Sequence, residues 1–172
     1  MPSINDVIYK SQLPKYVELF DIDCTKIPNI NAVFRLTSNF IDDNTLVQFN
    51  GQQYSTFPIA ISGISQKSDG AYPRPILSIS NINGDIGRFV LEHEDIIGAK
   101  VFYYRTFEIY LRSNSSVCAP PFTFFVGRKT AHTKTTINWE LRHTLDRERT
   151  FLPARQMLKK DFPGLGDYRH IG

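Results

Sequence analysis

The stretch GAYPRPILSISNI, Gly70 to Ile82, decides the fold. Pro73 and Pro75 fix φ and carry no N–H, so they belong at the mouth or edge of a strand and not inside a ladder. Each drives the residue before it, Tyr72 and Arg74, into extended backbone. Arg74 is therefore held on a stiffened arm, and a strand begins at Ile76. Leu77 and Ile79 point to one face while Ser78 and Ser80 point to the other, the period of a strand with one buried side.

Working outward, the same punctuation repeats. LVQFNGQQYST places Asn50-Gly51 between two β-prone runs, which predicts a two-residue type I′ hairpin, since both central residues must take positive φ. KYVELFDIDC, IPNINAVFRLTSN and FPIAIS read as strands, with a loop tip at Ser68-Asp69-Gly70. KVFYYRTFEIYLR alternates over its whole length and predicts one long strand. FTFFVGRKT and TTINWELRHT predict two more, the second placing Ile137, Trp139 and Leu141 together, with a bulge or turn at Gly127. Two helices are expected. One is short, over PSINDVIYKSQL, and stopped by Pro14. The other uses Ile86, Phe89, Val90 and Ile97, with Gly98 as its C-cap. The fold class is mainly β, a barrel or sandwich with an N-terminal and a mid-chain helix. Residues 1–150 form the domain, and residues 151–172, polar, basic and interrupted by prolines, form a C-terminal arm.

Composition narrows the function classes. Thirteen Phe and eight Tyr in 172 residues favour pleated surfaces and interfaces. A net charge of +3 is too mild to argue for nucleic-acid binding. Cys24 and Cys118 make neither a disulfide framework nor a metal-ligand cluster, and a reducing compartment is expected. No apolar run approaches the length of a membrane span, and the N-terminus lacks the apolar core of a signal peptide, so a soluble protein made in a cytoplasm is expected.

Candidate chemistry is thin. Glu92, His93, Glu94 and Asp95 crowd together in LEHED but lack a second histidine at a ligand spacing, and a solvated helix face explains them more simply. A small hydrolase using Cys118 with His132 or His143, or a histidine–carboxylate pair, would need those groups to meet in space. Gly127-Arg128-Lys129 lacks the spacing of a phosphate-binding loop. The anomaly is Phe102, Tyr104 and Tyr110, aromatic rings on the nominally polar side of the 101–111 strand. They imply either a sheet covered on both faces or a surface that another subunit covers.

The order of these signals resembles the minor tail protein L family of lambda-like, flexible-tailed bacteriophages, from about Val17 to Leu158. The similar pieces are FDIDCT, NGQQYSTFPI, SGISQKSDGAYPRPILSISNINGDIGRFV, IIGAKVFYYRTF and WELRHTLDRERTFLPARQML, in that order. The resemblance implies a virion structural protein of the tail tip or baseplate, without catalysis, whose barrel is related to the tail-tube and hub fold. Implied partners are copies of itself in a ring of three, or alternatively six, the distal tail protein, the central hub or host-recognition protein, and the tape-measure protein. DNA would be met only in transit, during genome ejection, and assembly would occur in the host cytoplasm.

After LPxRQxL the family carries a cysteine-containing region that holds an iron–sulfur cluster, whereas this chain continues KKDFPGLGDYRHIG. A cluster needs four thiolates, so none is expected here. The expected subunit contacts are Tyr72, Pro73, Arg74, Pro75, Phe102, Tyr104, Tyr110, Leu152, Pro153 and Arg155. Arg74 either meets a neighbour's carboxylate or folds back as an internal brace. The rival class is a receptor- or carbohydrate-binding β-module, whose aromatic rings would line an exposed groove.

Overall fold

The computed structural model describes residues 15–39, 47–64, 74–113 and 115–146, and the expected N-terminal helix, the Ser68–Gly70 tip and the C-terminal arm lie outside them. Nine strands form one mixed sheet: β1 Tyr16–Asp23, β2 Val33–Thr37, β3 Val47–Phe49, β4 Gln52–Thr56, β5 Ile59–Ser62, β6 Ile76–Ser80, β7 Lys100–Phe107, β8 Phe122–His132 and β9 Thr136–His143. Helix α1 spans Asp85–Glu92 and α2 spans Glu108–Arg112. The mainly-β class read from the sequence is what the chain adopts.

The strand order is β3-β4-β2-β1-β7-β8-β9-β6-β5. The ladder does not close into a barrel; the architecture is that of a sheet folded back on itself, sandwich-like. The reason lies at Phe57-Pro58. Phe57 N–H still donates to Thr37 O of β2, at 2.8 Å, while Pro58 O already accepts from Ser80 N of β6, at 2.9 Å. One peptide step thus passes the chain from one end of the sheet to the other. Proline has no N–H with which to continue either ladder, so the seam is stitched at this point and is not zipped.

The predicted turns and faces hold where local chemistry dictates them. Asn50 and Gly51 both take positive φ, 51° and 71°, and close the β3–β4 hairpin with Phe49 opposite Gln52. Strand β6 starts at Ile76, with Leu77 and Ile79 buried. Opposite them on β9 lie Trp139 and Ile137. Gly127 sits in β8 where the register with β9 slips, and a Cβ there would lie 2.8 Å from Glu140 O, so the bulge needs glycine.

Two layers of apolar side chains sandwich the sheet. The larger, inside the fold, takes Phe20, Ile22, Leu77, Ile79, Val101, Tyr103, Phe124, Ile137, Trp139 and Leu141. The smaller covers the opposite face of β1, with Val17, Leu19, Val47, Phe49, Tyr54 and Leu111. This second layer corrects the reading of residues 100–112. Strand β7 stops at Phe107 and the chain turns into α2, which brings Leu111 over Val17 and Leu19. A strand continued through Glu108–Arg112 would leave that layer open to water.

The mid-chain helix is also shorter than its apolar spacing implies. It ends at Glu92, and Ile97, taken from the sequence as a core position, is exposed. Between them Glu94, Asp95 and Ile96 form a one-turn 3-10 element in which all three φ values are positive, 50°, 59° and 51°. Left-handed backbone costs roughly 1–2 kcal/mol per non-glycine residue, and a β-branched residue there is exceptional. The surroundings impose it. Ile96 is buried in the core, Trp139 Nε1–H donates to Asp95 O at 3.0 Å, and Lys129 Nζ meets Asp95 Oδ1 at 2.5 Å.

Candidate subunit-contact surfaces

Of the ten residues expected at contacts, Tyr72, Pro73, Leu152, Pro153 and Arg155 lie outside the described residues. The other five fall in two places. Pro75 is buried and its carbonyl accepts from Leu141 N–H at 2.7 Å, so the proline does set the mouth of β6 against β9. Arg74 takes the second of its two expected roles. Its Nε donates to Asp146 Oδ2 at 2.8 Å and its second terminal nitrogen to Asp146 Oδ1 at 3.2 Å, a two-pronged grip. Its other terminal nitrogen lies 3.5 Å from Glu140 Oε1, and Arg128 holds the second oxygen of the same carboxylate at 3.0 Å. The pairing with Asp146 holds the guanidinium's pKa above its ordinary value. Arg74 is thus a brace between the start of β6 and the end of β9, in water-exposed surroundings. Arg74→Ala is expected to lower the melting temperature slightly at low salt and not at all in about 1 M NaCl, where exposed pairs are screened. A loss that persists in high salt, followed by calorimetry, would contradict this.

Phe102 and Tyr104 share one face of β7, their rings stacked 6.4 Å apart, and Tyr110 does not join them. Tyr110 is 2% exposed, covered by its own chain, because α2 turns it inward, so its ring offers nothing to a neighbour. Tyr104 packs on Phe49 of the β3–β4 hairpin, ring centres 5.6 Å apart, at the margin of the second apolar layer. Phe102 is half-buried, with Lys100 Nζ 4.4 Å from its ring centre. The second apolar layer thus takes up part of the aromatic excess on β7, through Tyr104.

Beside Tyr104 lies a polar inset. Asp21 faces Arg35 across the β1–β2 ladder and Phe102 across β1–β7. Burial pushes the Asp21 carboxyl up from its ordinary range, opposed by a hydrogen bond from Tyr54 and by the Arg35 charge. Burial also raises the Tyr54 phenol, helped by the Asp21 charge. On the other face of β1, burial and a hydrogen bond given to Glu18 raise Tyr103 in the same way. A raised folded-state value keeps the proton on in the native state after the unfolded chain has begun to lose it. Stability contributed by both phenols is therefore complete below pH 10.0, the ordinary tyrosine value, and is lost as pH rises beyond it. Unfolding free energy measured by denaturant should fall above about pH 10. The double variant Tyr54→Phe/Tyr103→Phe should flatten that limb, and an unchanged slope would refute the assignment.

The β6–α1 turn is the best-built local feature, and sequence reading passed over its key residue. Asn81 is buried; its Oδ1 accepts Gly87 N–H at 2.7 Å and its Nδ2 donates to Thr133 O at 3.3 Å. Its own N–H reaches Thr135 O at 2.8 Å. Gly84, the N-cap with φ 77°, offers no side chain, so Asn81 caps the helix from three residues upstream and ties it to the β8–β9 loop. The signal in the sequence is the SN pair that closes the proline-led strand, followed by Gly84 and Gly87. Open clefts of about 440 and 470 Å³ flank this turn.

The catalytic alternatives find no support in the thiols. Cys24 is fully buried, and burial with the nearby Asp23 charge pushes its thiol up to about 11. Burial also raises Cys118, and neither sulfur is held as the thiolate a nucleophile requires. Among the described residues no three His, Cys, Asp or Glu side chains come together as a metal site, and none of the helices is long and apolar enough to cross a membrane.

The family model for phage minor tail protein L matches residues 29–171. It takes in the hairpin, the proline-led β6, the Asn81 turn, both helices and all strands from β2 to β9, and runs beyond Leu158, where the motif-by-motif resemblance stops. The chain belongs to the phage minor tail protein L family, and is a structural component of a bacteriophage tail.

Proposed function

We propose that this chain is a ring-forming subunit of the tail tip, present in three copies (six in the second arrangement), between the distal tail protein and the central hub. The ring prolongs the channel through which DNA leaves. Family membership over residues 29–171 is the observation that carries this reading. The fold supports it as a scaffold: a sheet with apolar layers on both sides, braced at its seam by Phe57-Pro58 and at its rim by Arg74. In this reading residues 1–150 form the body and 151–172 an arm, and the chain performs no catalysis. It holds no iron–sulfur cluster, since its two cysteines fall short of four thiolates and Cys24 is sealed in the core. The bore avoids strong positive charge, because a basic lining would retain the passing DNA through counterion release.

Gold-labelled antibody against a tagged copy, imaged on purified tails, is expected to mark only the distal end. Label along the shaft or at the neck would overturn the tail-tip assignment. Averaged images of the tip should show closed rotational symmetry about the tail axis.

A further inference from the structure

Among the described residues the three most exposed large apolar side chains fall on one stretch of the chain. Ile82 (77%), Leu91 (66%) and Ile97 (54%) all lie on the connection from β6 to β7. Asp85, Glu92 and Glu94 are exposed with them; the cations beside them are Arg88, which Glu92 already pairs at 2.9 Å, and Lys134, which lines a cleft with Ile82 at one end. The cleft of about 440 Å³ opens at the Ile82 end, between Phe57-Pro58 and the Ser80–Ile86 turn. The result is an apolar ledge with a negative rim. It is also rigid, held by Asn81 at one end and by Trp139 and Lys129 on Asp95 at the other. A patch of this kind on a soluble protein marks a contact.

The matching charge is found at the other end of the chain. Residues 147–172 hold six Lys/Arg against three Asp/Glu, so 14 of each remain in residues 1–146 and the net charge of +3 belongs wholly to this segment. Its FLPARQMLKK run joins apolar side chains to cations. We propose that the β6–β7 ledge is the docking site for residues 147–172 of a neighbouring copy of this chain. A ring built head to tail needs two different, complementary surfaces on each subunit, and ledge and segment supply them. Arg74 clamps the root of the segment at Asp146, beside the start of β6, whereas the ledge begins at the far end of that strand. Twenty-six residues span up to roughly 85 Å when extended, ample to reach a neighbour. The inference rests on the ring reading above and names its contact.

The test uses tails assembled in cells from a mixture of light- and heavy-nitrogen protein carrying a photo-crosslinking residue at position 91. Crosslinks from 91 to peptides of residues 147–172 are expected to join light to heavy chains. Crosslinks confined to one isotope would place the segment on its own body and overturn the proposal, as would crosslinks to a different protein. In parallel, Leu91→Lys, at a side chain 66% exposed, should leave the melting curve nearly unchanged and lower incorporation into tails about tenfold or more. Glu92→Lys/Glu94→Lys should do the same, and adding Lys159→Glu/Lys160→Glu should restore incorporation. Normal incorporation of Leu91→Lys in a protein present in several copies would sink the ledge alone. A single copy per tail would sink the ring and the ledge together.

Discussion

Trp139→Ala is expected to cost about 3–5 kcal/mol, a large fraction of the stability of a domain, and to lower sharply the yield of folded protein. The indole is fully buried at the centre of β9, opposite Leu77 of β6, in the larger apolar layer. Removing it leaves a cavity between strands that cannot move together, because Ile137 and Leu141 on either side hold the sheet apart. It also releases the only indole donor in the chain from Asp95 O, and with it one of the pins on the left-handed Glu94–Ile96 turn. Trp139→Phe separates the two effects. Most of the volume stays and the N–H goes, so a loss of about 1–2 kcal/mol is expected. The amides around residues 94–97 should then exchange faster with solvent while those of β6 and β9 remain protected. If Trp139→Phe leaves those amides as slow as in the parent, the indole is not what holds the turn.

Asn81→Ala should come next, at about 1–3 kcal/mol, because it leaves the buried Gly87 N–H without its partner and releases the tie to Thr133 O. Gly87→Ala tests the same geometry from the opposite side. A Cβ there would sit 2.8 Å from Asn81 Nδ2 and 3.0 Å from both Asn81 Oδ1 and His132 Nε2. Alanine would favour a free helix by about 1 kcal/mol, yet the crowding falls on an amide that two hydrogen bonds prevent from turning away. Net destabilisation is therefore expected. In the double variant the obstructing amide is gone and alanine's preference for helix returns, so the two losses should fall short of adding by about 1 kcal/mol or more. Strict additivity in chemical denaturation would show that the two residues do not meet.

Much of the fold was legible because its determinants are local. Proline has one φ and no donor whatever surrounds it, so PRPILSIS announced the mouth of β6 and its buried face. Asn50-Gly51 announced its hairpin for the same kind of reason, and INWEL its buried side. The family resemblance rested on those same pieces, which is why it survived comparison with the family model. The end of β7 was not legible. The end of FEIYLR fits a strand by alternation and a helix by the i, i+3, i+4 spacing of Phe107, Tyr110 and Leu111, and a segment this short cannot decide between them.

Tertiary structure decided what depends on partners distant in the chain. α2 forms because Val17 and Leu19 need a cover, and Glu94–Ile96 adopts left-handed backbone because Trp139 and Lys129, more than thirty residues on, hold Asp95 there. Arg74 could be placed on its stiff arm from sequence, but its choice of Asp146, 72 residues away, follows only once β6 and β9 are paired. Likewise Ile97 carried the spacing of a core residue and became surface when the helix stopped short. The sequence alone determined where strands begin and which way their side chains face, since backbone stereochemistry acts over two or three residues. Which apolar groups stay uncovered, and hence where a neighbour can dock, was settled only when distant segments competed for the same core.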